Sequence, residues 1–414
     1  MTEEKKGMSR REFIKASAGA GLMELLPAGE AQAWVAGSDA PEKKELRVGF
    51  IALTDCASVV MAAVQKFDEK YGIKIIPSRE SSWAAIRDKL LAGELDAAQA
   101  LYGLVYGVQL GIGGVQKDMN ILMALNNNGQ GITLASRLGA EGVIDGATLA
   151  QRVARQDKSF VFAQTFPTGT HAMWLYYWLA THGIDPFRDV RNIVVPPPNM
   201  VANIRGGNTD GFCAGEPWNQ CAINERVGFS VAATQDIWPD HPEKVLGTTE
   251  EWVQQHPNAA RALTAAILEA SRWIDASAAN RHIAAGTIAQ QAYVNTDVDV
   301  ILGRMLGRYE NGLGQSKDDP HAMKFHADGA VNFPYLSDAM WFMTQHRRWG
   351  FLREDPDYLA VAQRVNRIDI YAQAATQLNV ALPDSSMRSS RLIDGVIWDG
   401  SDPTAYANSF SIHA

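Results

Sequence analysis

The sequence is poor in cysteine and in excess positive charge, and both shortages exclude classes of protein. Its 414 residues include three cysteines, with neither a CxxC pair nor a Cys/His metal spacing. We therefore expect buried thiols and no metal centre from Cys56, Cys213 and Cys221. The net charge of −8 gives no basic field for a nucleic acid or an anionic membrane, so we expect no nucleic-acid partner.

Long apolar runs and common enzyme motifs are also missing. Beyond the first 33 residues, no apolar run reaches the roughly 18 residues of a membrane-spanning helix. The sequence contains no glycine-rich phosphate loop, no G-x-S-x-G and no H-E-x-x-H. Its acidic residues show no pattern of paired carboxylates. These absences weaken catalysis as an interpretation without excluding it, and we expect a protein that is not an enzyme and carries no cofactor.

The first 33 residues read as an export signal rather than as part of the fold. Paired arginines, Arg10 and Arg11, precede Phe-Ile-Lys, a weakly apolar stretch and Ala-Gln-Ala at 31–33. This pattern is typical of a twin-arginine signal peptide cleaved after Ala33. It predicts a soluble protein that the twin-arginine machinery exports, already folded, to the periplasm. A polar linker follows at residues 34–45.

Strands and helices alternate after the linker. The segment ELRVGFIALTD predicts a first strand, CASVVMAAVQKFDEKYG a helix that ends at Gly72, and IKIIPS a second strand. The next helix, in SSWAAIRDKLLAG, begins after a serine cap and ends at Gly93. This alternation indicates βα units around a mostly parallel sheet.

A helix-to-strand joint occurs twice along the chain. Residues 93–99 (GELDAAQ) and 207–213 (GNTDGFC) both read Gly-x-x-Asp followed by small or apolar residues. The glycine suits the left-handed turn after a helix, and the aspartate can bond the backbone of the turn. Two copies predict two similar α/β lobes, whose facing strand ends line one cleft.

These patterns divide the chain into segments. Residues 46–133 are expected to form the first part of lobe I, and residues 134–237 to form lobe II. From 238 to 414 the chain returns to lobe I and continues as a large helical C-terminal region. The expected fold class is therefore α/β with two lobes.

The segment TFPTGTHAMWLYYWLATHG, residues 165–183, places a histidine at the start of an aromatic helix. His171 falls on the apolar face of that helix, where a packed core histidine is the plain interpretation. A helix start is also a natural anion site, to which Thr168, Gly169 and Thr170 would add hydroxyls and free N–H groups. Spacing alone leaves both interpretations open.

Three further polar residues fall where the lobes should meet. Glu216 in GEPW follows the second repeated joint and could orient the His171 ring, or simply cap a turn. Gln130 in NNNGQGITLAS lies near the crossing between the lobes, and Lys244 in WPDHPEKVLG lies near the return. A solvated turn and a surface lysine are the plain alternatives for these two.

Together the motifs resemble the substrate-binding proteins of ABC-type nitrate/nitrite and bicarbonate importers. The resemblance is colinear over nearly the whole chain after the signal. It is carried by SWAAIRDKLLAGELDAAQ, NNNGQGITLAS, FPTGTHAMWLYYWLATHGIDP, PPPNMVANI, FCAGEPWN and DHPEKVLG, and in the tail by VNRIDIYAQAA and DGVIWDGSDPTAY. It implies a two-lobed, type II periplasmic-binding-protein-like fold with a large helical C-terminal part.

The resemblance also implies a ligand and a set of site residues. In the nitrate-binding members a Trp, a Gln, a His and a Lys hold the anion between the lobes. On that basis the expected ligand-binding residues are Trp83, Gln130, Thr168, Gly169, Thr170, His171 and Lys244. Glu216 is expected to support them from behind.

The chemistry of nitrate fits this set. Nitrate is a planar monoanion that can only accept hydrogen bonds, so its site should present only donors. Indole, amide, imidazole, ammonium and hydroxyl groups can all donate. Bicarbonate also has a hydroxyl group to donate, and its site needs an acceptor or a metal. We therefore expect nitrate, with nitrite as a second ligand; because Glu243 lies beside Lys244, bicarbonate is the alternative.

The resemblance implies a role in uptake. The protein would capture its anion in the periplasm and deliver it to an ABC permease and its ATPase complex in the inner membrane. A nitrate sensor acting on a regulatory partner is a second alternative, which the export signal disfavours. An enzyme such as a small-anion hydrolase would need a nucleophile or a metal in the cleft, and the sequence offers neither.

Overall fold

Two five-stranded sheets form the frame of the protein in a computed structural model, which describes residues 37–413. The signal peptide expected at residues 1–33 lies outside the described residues. The strands of the two sheets are β1 (Glu45–Phe50), β2 (Lys74–Arg79), β3 (Ala97–Leu101), β4 (Met119–Ala124), β5 (Gln130–Ala135), β6 (Phe160–Gln164), β7 (Val190–Val194), β8 (Gly211–Gly215), β9 (Gly228–Ala233) and β10 (Lys244–Thr249).

The two sheets have the same strand order and the same strand directions. The first runs β2-β1-β3-β10-β4 and the second β7-β6-β8-β5-β9. In each sheet the first three strands are parallel, and the fourth runs antiparallel to both of its neighbours. The chain therefore contains two α/β lobes of one design, as the repeated joint predicts.

Helices connect the strands and dominate the chain after β10. They are α1 (Ala57–Val64), α2 (Trp83–Leu91), α3 (Tyr102–Gln109), α4 (Ser136–Ala140), α5 (Gly146–Val153), α6 (Thr170–Thr181), α7 (Met200–Arg205), α8 (Trp218–Asn224), α9 (Glu250–Gln255), α10 (Pro257–Asp275), α11 (Ala278–Ile288), α12 (Val298–Met305), α13 (Leu336–Arg348), α14 (Tyr358–Val365), α15 (Ile368–Gln377) and α16 (Pro403–Asn408). Two small hairpins pair β11 (Arg308–Glu310) with β12 (Ser316–Asp318), and β13 (Ser390–Arg391) with β14 (Ile397–Trp398). Within residues 37–413, no helix has both the length and the apolar character needed to cross a membrane.

The predicted serine cap and the glycine that ends the helix are both confirmed at α2. The Ser82 hydroxyl accepts the Ala85 N–H at 3.1 Å and so caps the start of the helix. Gly93 follows the end of the helix with φ of +71°, a conformation that glycine adopts without strain. The cysteines also match expectation, because all three are buried free thiols.

The aspartate of each repeated joint binds the neighbouring strand. Asp96, just before β3, accepts the Arg47 N–H of β1 at 2.8 Å. Asp210, just before β8, accepts the Val161 N–H of β6 at 2.9 Å. The expectation that the aspartate bonds its own turn is corrected here: each carboxylate ties two adjacent parallel strands together, at equivalent places in the two lobes.

The first crossing between the lobes falls earlier than expected. Strand β5 begins at Gln130 and lies in the second sheet, so lobe II opens before residue 134. The chain leaves the first sheet after Ala124 and re-enters it at Lys244. The sequence misplaced this boundary because the buried segment 130–135 suits a central strand of either lobe.

The C-terminal helices share a core with α6. Trp341 in α13 stacks on Trp174 in α6, with ring centroids 4.7 Å apart, and meets the edge of Trp238 at 5.3 Å. The Trp341 indole N–H donates to the Tyr406 hydroxyl at 3.1 Å, which brings α16 into the same cluster. The helical C-terminal region is therefore built into the two-lobed body by its aromatic residues.

We predict that Trp341→Ala destabilises the protein by about 3–5 kcal/mol, because it removes a fully buried indole from this cluster. Urea unfolding of residues 34–414 measures the loss. Leu359→Ala on α14, where the side chain is 41% exposed, is the control and should change stability by less than about 0.5 kcal/mol. Equal effects of the two substitutions would contradict the shared core.

Candidate functional site

Two crossing segments run side by side where the lobes join. The Leu125 N–H donates to the Lys244 carbonyl at 2.7 Å, and the Glu243 N–H donates to the Asn126 carbonyl at 3.1 Å. Each crossing ends in a long polar side chain, because Gln130 begins β5 and Lys244 begins β10. The joint between the lobes thus delivers two predicted site residues to one place.

Lys244 lies at the centre of the site. Its Nζ is 3.0 Å from Asp55 Oδ2, bonds the Glu243 carboxylate, and lies 5.5 Å from the centroid of the Trp83 ring. Burial disfavours the charged lysine, but the charges of Asp55 and Glu243 outweigh burial and raise the pKa of Lys244 above its ordinary value. The ammonium group therefore keeps its charge at neutral pH.

Each acid also accepts a hydrogen bond from a glutamine. Gln99 in β3 donates to Asp55, and Gln130 in β5 donates to Glu243. Burial raises the pKa of Asp55, although Lys244 opposes the rise. Burial also raises the pKa of Glu243 to about 8; Lys244 opposes this rise and the Asp55 charge adds to it. The expected donor-only site is thus corrected, since two acids lie within it.

His171 is fixed by a residue that the sequence analysis did not identify. Its Nδ1 hydrogen-bonds the Thr165 hydroxyl at 2.6 Å, and its Nε2 lies 4.0 Å from Glu243 Oε1. Burial, and then the charge of Lys244, lower the pKa of His171 well below its ordinary value, so the ring is neutral. In the tautomer whose Nδ1 accepts a hydrogen bond from the Thr165 hydroxyl group, the ring carries its N–H on Nε2, toward the site.

Two buried ring nitrogens in this site lack a hydrogen-bond partner among residues 37–413. They are Trp83 Nε1 and His171 Nε2, on rings whose centroids are 6.5 Å apart. Buried N–H groups in proteins nearly always have a partner. Together with the Lys244 ammonium group, these nitrogens suit a small ligand that accepts hydrogen bonds.

Gly215 keeps the region between Asp55 and His171 free of a side chain. It is the last residue of β8, and a Cβ there would lie 3.3 Å from Asp55 Oδ2 and 3.6 Å from His171 Nε2. The same Cβ would come 3.1 Å from Leu53 Cδ2. Any side chain at this position would therefore fill the gap between the two lobes.

Two hydrogen bonds between the two lobes also enclose the site. The Thr54 N–H of lobe I donates to the Glu216 carbonyl of lobe II at 2.8 Å. The Trp218 indole N–H of lobe II donates to the Ala52 carbonyl of lobe I at 2.9 Å. No surface of Trp83, Gln130, His171, Glu243 or Lys244 is exposed. The site is therefore closed to solvent in this arrangement of the lobes.

Glu216 has a different role from the one expected. Its Oε1 lies 3.4 Å from Arg304 Nε, and its Oε2 accepts the Gln220 N–H at 3.2 Å. The ring of His171 is oriented by Thr165 instead. In the GEPW segment the glycine borders the site, while the glutamate side chain ties the loop to helix α12.

Thr168 and Gly169, in the turn before α6, contact α3 and α13 and the end of β3. The Thr168 carbonyl accepts a hydrogen bond from His346 Nε2 at 2.9 Å, and the Thr168 hydroxyl lies against Gly107 of α3. A Cβ on Gly169 would meet the Leu101 side chain. The hydroxyls of Thr168 and Thr170 are buried and have no hydrogen-bond partner among the described residues, and a ligand-binding role for the three residues stays a prediction.

Sequence reasoning missed Asp55, Gln99 and Gly215. A signal existed for each. Asp55 follows the first strand at the edge where a cleft was expected, and Gln99 is a polar residue within the buried strand AAQAL. Gly215 lies in the GEPW segment, where the sequence analysis assigned a role to Glu216 and none to the glycine.

Known proteins share this architecture. A model of the NMT1-like family matches residues 39–289. This chain belongs to the NMT1-like family. The crystal structure of the periplasmic nitrate-binding protein NrtA from Synechocystis gives a TM-score of 0.86 at 36% identity, covering 90% of this chain and 100% of that one. This match confirms the expected two-lobed binding-protein fold.

Relatives over most of the chain include anion-binding proteins and an ATP-binding protein of nitrate import. The nitrate/nitrite binding protein NrtA of Nostoc sp. is 36% identical, over 94% of this chain and 91% of its own length. The bicarbonate-binding protein CmpA of Synechococcus sp. is 29% identical, over 92% and 90%. The nitrate import ATP-binding protein NrtC of Synechocystis sp. is 34% identical over 91% of this chain, but over 57% of its own length.

We predict that Lys244→Met destabilises this family member by about 3–5 kcal/mol, because it leaves buried acids without their cation. Adding Asp55→Asn should recover part of the loss, since fewer acids then lack a partner. Urea unfolding at pH 7 measures both. Lys70→Met, whose ion pair with Glu269 is partly exposed, is the control and should cost about 1 kcal/mol or less. Strictly additive losses in the double variant would contradict the proposed coupling.

Proposed function

We propose that this protein captures nitrate, and nitrite as a second ligand, between its lobes and delivers it to an ABC importer. The observation that carries the proposal is a buried ammonium group, Lys244, beside the unpartnered ring nitrogens of Trp83 and His171. Charged and ring N–H groups suit an anion that only accepts hydrogen bonds. The similarity to proteins described as nitrate-binding, over nearly the whole chain, supports the same ligand.

Capture in this proposal depends on movement of the lobes. The crossing segments at 125–129 and 234–243 act as the hinge, because each carries the chain from one sheet to the other. With the lobes apart, nitrate reaches Lys244. Closure then restores the bonds between Thr54 and Glu216 and between Trp218 and Ala52. No covalent bond is broken, so the role is binding rather than catalysis.

Export and partners follow from the same proposal. The paired arginines of the leader support twin-arginine export, and a periplasmic relative of known structure supports the periplasm as the destination. The similarity to an ATP-binding protein of nitrate import supports an ABC permease and its ATPase as the receiving complex. We place this complex in the inner membrane.

Bicarbonate is the second candidate, and a specific observation favours it. Asp55 and Glu243 offer acceptor oxygens, which a bicarbonate hydroxyl group needs and nitrate does not use. Nitrate remains the better fit because the ring nitrogens of Trp83 and His171, which have no partner among the described residues, lie beside the Lys244 ammonium group as donors for an anion. The identity to the nitrate/nitrite binding protein, 36%, also exceeds the 29% to the bicarbonate-binding protein.

We predict that residues 34–414 bind nitrate with a micromolar Kd in titration calorimetry, without calcium. His171→Ala and Lys244→Gln should each weaken binding by about 30-fold or more, because a buried charged or donor contact contributes about 2–5 kcal/mol. Lys70→Gln, on another face of lobe I, is the matched lysine control and should retain binding.

The same titration separates the candidates. Nitrite should bind in the same site, and bicarbonate should give no signal with or without calcium. If bicarbonate binds and nitrate gives no binding signal, the nitrate proposal is refuted. Equal nitrate affinity in Lys244→Gln and in the unmodified protein would show that nitrate does not bind at Lys244.

We predict that Gly215→Ala reduces nitrate affinity by about tenfold or more, because an added methyl group in a filled site costs about 1–3 kcal/mol. The methyl carbon would lie between Asp55 and His171, where we place the anion. Gly114→Ala, at a glycine with open space around the missing Cβ, is the control. Full nitrate affinity in Gly215→Ala would exclude this space as the ligand position.

A further inference from the structure

Glu243 is an unusual neighbour for an anion. One of its carboxylate oxygens, Oε1, accepts from both Gln130 and Lys244. The other, Oε2, is buried and has no hydrogen-bond partner among the described residues. A buried oxygen without a partner is costly when it carries charge. The same oxygen becomes an O–H donor when the carboxyl group is protonated.

The charges around Glu243 add a second argument. It is faced by Lys244 on its own strand end, Asp55 after β1, His171 on α6 and Cys213 on β8. Burial keeps the histidine neutral and raises the pKa of the Cys213 thiol, so neither supplies positive charge. When both acids are ionised, one lysine faces two negative charges, and an incoming anion would add a third.

His241, two residues before Glu243, does not change this balance. Burial lowers its pKa to about 3, so the imidazole is neutral. Its ring nitrogens bond the Pro242 carbonyl at 2.9 Å and the Thr234 hydroxyl at 2.7 Å. Both of its ring nitrogens are thus bonded within the crossing segment 234–243.

We propose that the site binds nitrate with Glu243 protonated, so that capture takes up one proton whenever Glu243 is ionised in the empty protein. The proton comes from water or buffer and settles on a carboxylate oxygen of Glu243. Lys244 then exchanges its bond with Glu243 for one with the anion and keeps its bond with Asp55. This inference rests on the proposed function, and it makes Glu243 a determinant of which anions the site accepts.

The coupling has a defined direction in pH. A group that must be protonated for binding leaves affinity unchanged below its pKa in the empty protein. Above that pKa, affinity falls by about tenfold per pH unit, until the higher pKa of the bound state is passed. For Glu243 the fall begins at about pH 8. Lys244 stays charged over this range, because its pKa lies above the ordinary lysine value.

Titration calorimetry of the unmodified protein tests the coupling. Nitrate is titrated between pH 6.5 and 9.5, in pairs of buffers with different ionisation enthalpies, so that the protons taken up per anion can be counted. We expect constant affinity up to about pH 8, then a fall, with uptake approaching one proton per nitrate at pH 9. Nitrate binding with flat affinity and no proton uptake would overturn the inference and leave the proposed function intact.

Variants assign the proton to Glu243. Glu243→Gln imitates the protonated carboxyl, so it should abolish proton uptake and bind nitrate more tightly than the unmodified protein at pH 9.5. Glu80→Gln is the control, because Glu80 is also buried and bonded to a lysine, Lys89 at 2.7 Å, but belongs to a different ion pair. Proton uptake that persists in Glu243→Gln would contradict the assignment.

Infrared spectroscopy gives an independent answer if Glu243→Gln does not fold. Nitrate added at pH 9 to the unmodified protein should produce a carboxylic acid band, and labelling glutamate with ¹³C should shift that band. A band that shifts only with labelled aspartate would assign the proton to Asp55 and overturn the inference. Absence of nitrate binding at pH 6.5 would instead refute the proposed function itself.

Discussion

A buried ammonium group needs counter-charges, and that need organises the joint between the two lobes. Lys244 has no exposed surface, so its charge is tolerable only because Asp55 and Glu243 lie against it. Those acids are in turn held by Gln99 and Gln130. Strands from both sheets therefore converge on one cation at the joint between the lobes.

The position of this cation links binding to movement. Lys244 and Gln130 each begin a strand at the end of a crossing segment, so a change in the hinge moves both. In the closed protein Asp55 and Glu243 pair with the Lys244 ammonium group, and an arriving anion competes with them for its hydrogen bonds. The ring nitrogens of Trp83 and His171 have no hydrogen-bond partner among the described residues, and Gly215 has no side chain. We expect the anion to bind at these positions, which the acids do not occupy. Binding in this account is an exchange of partners around one charge.

The sequence predicted the two α/β lobes because Gly-x-x-Asp joints and strand–helix alternation are local patterns, and Asp96 and Asp210 hold equivalent places in the structure. The family resemblance predicted Lys244 and His171. The partner of Lys244 was out of reach, because Asp55 lies 189 positions away and no spacing rule connects them. Likewise, the carboxylate expected behind His171 pairs with an arginine instead, since its direction depends on tertiary packing.

A crystal structure of the protein with nitrate tests the central claim most directly. The account predicts the anion in front of Gly215, within about 2.7–3.2 Å of Lys244 Nζ, His171 Nε2 and Trp83 Nε1, with the Lys244–Glu243 bond broken and the Lys244–Asp55 bond retained. Nitrate bound away from Lys244, or a site in which both acids still hold the lysine, would contradict the exchange of partners on which this account depends.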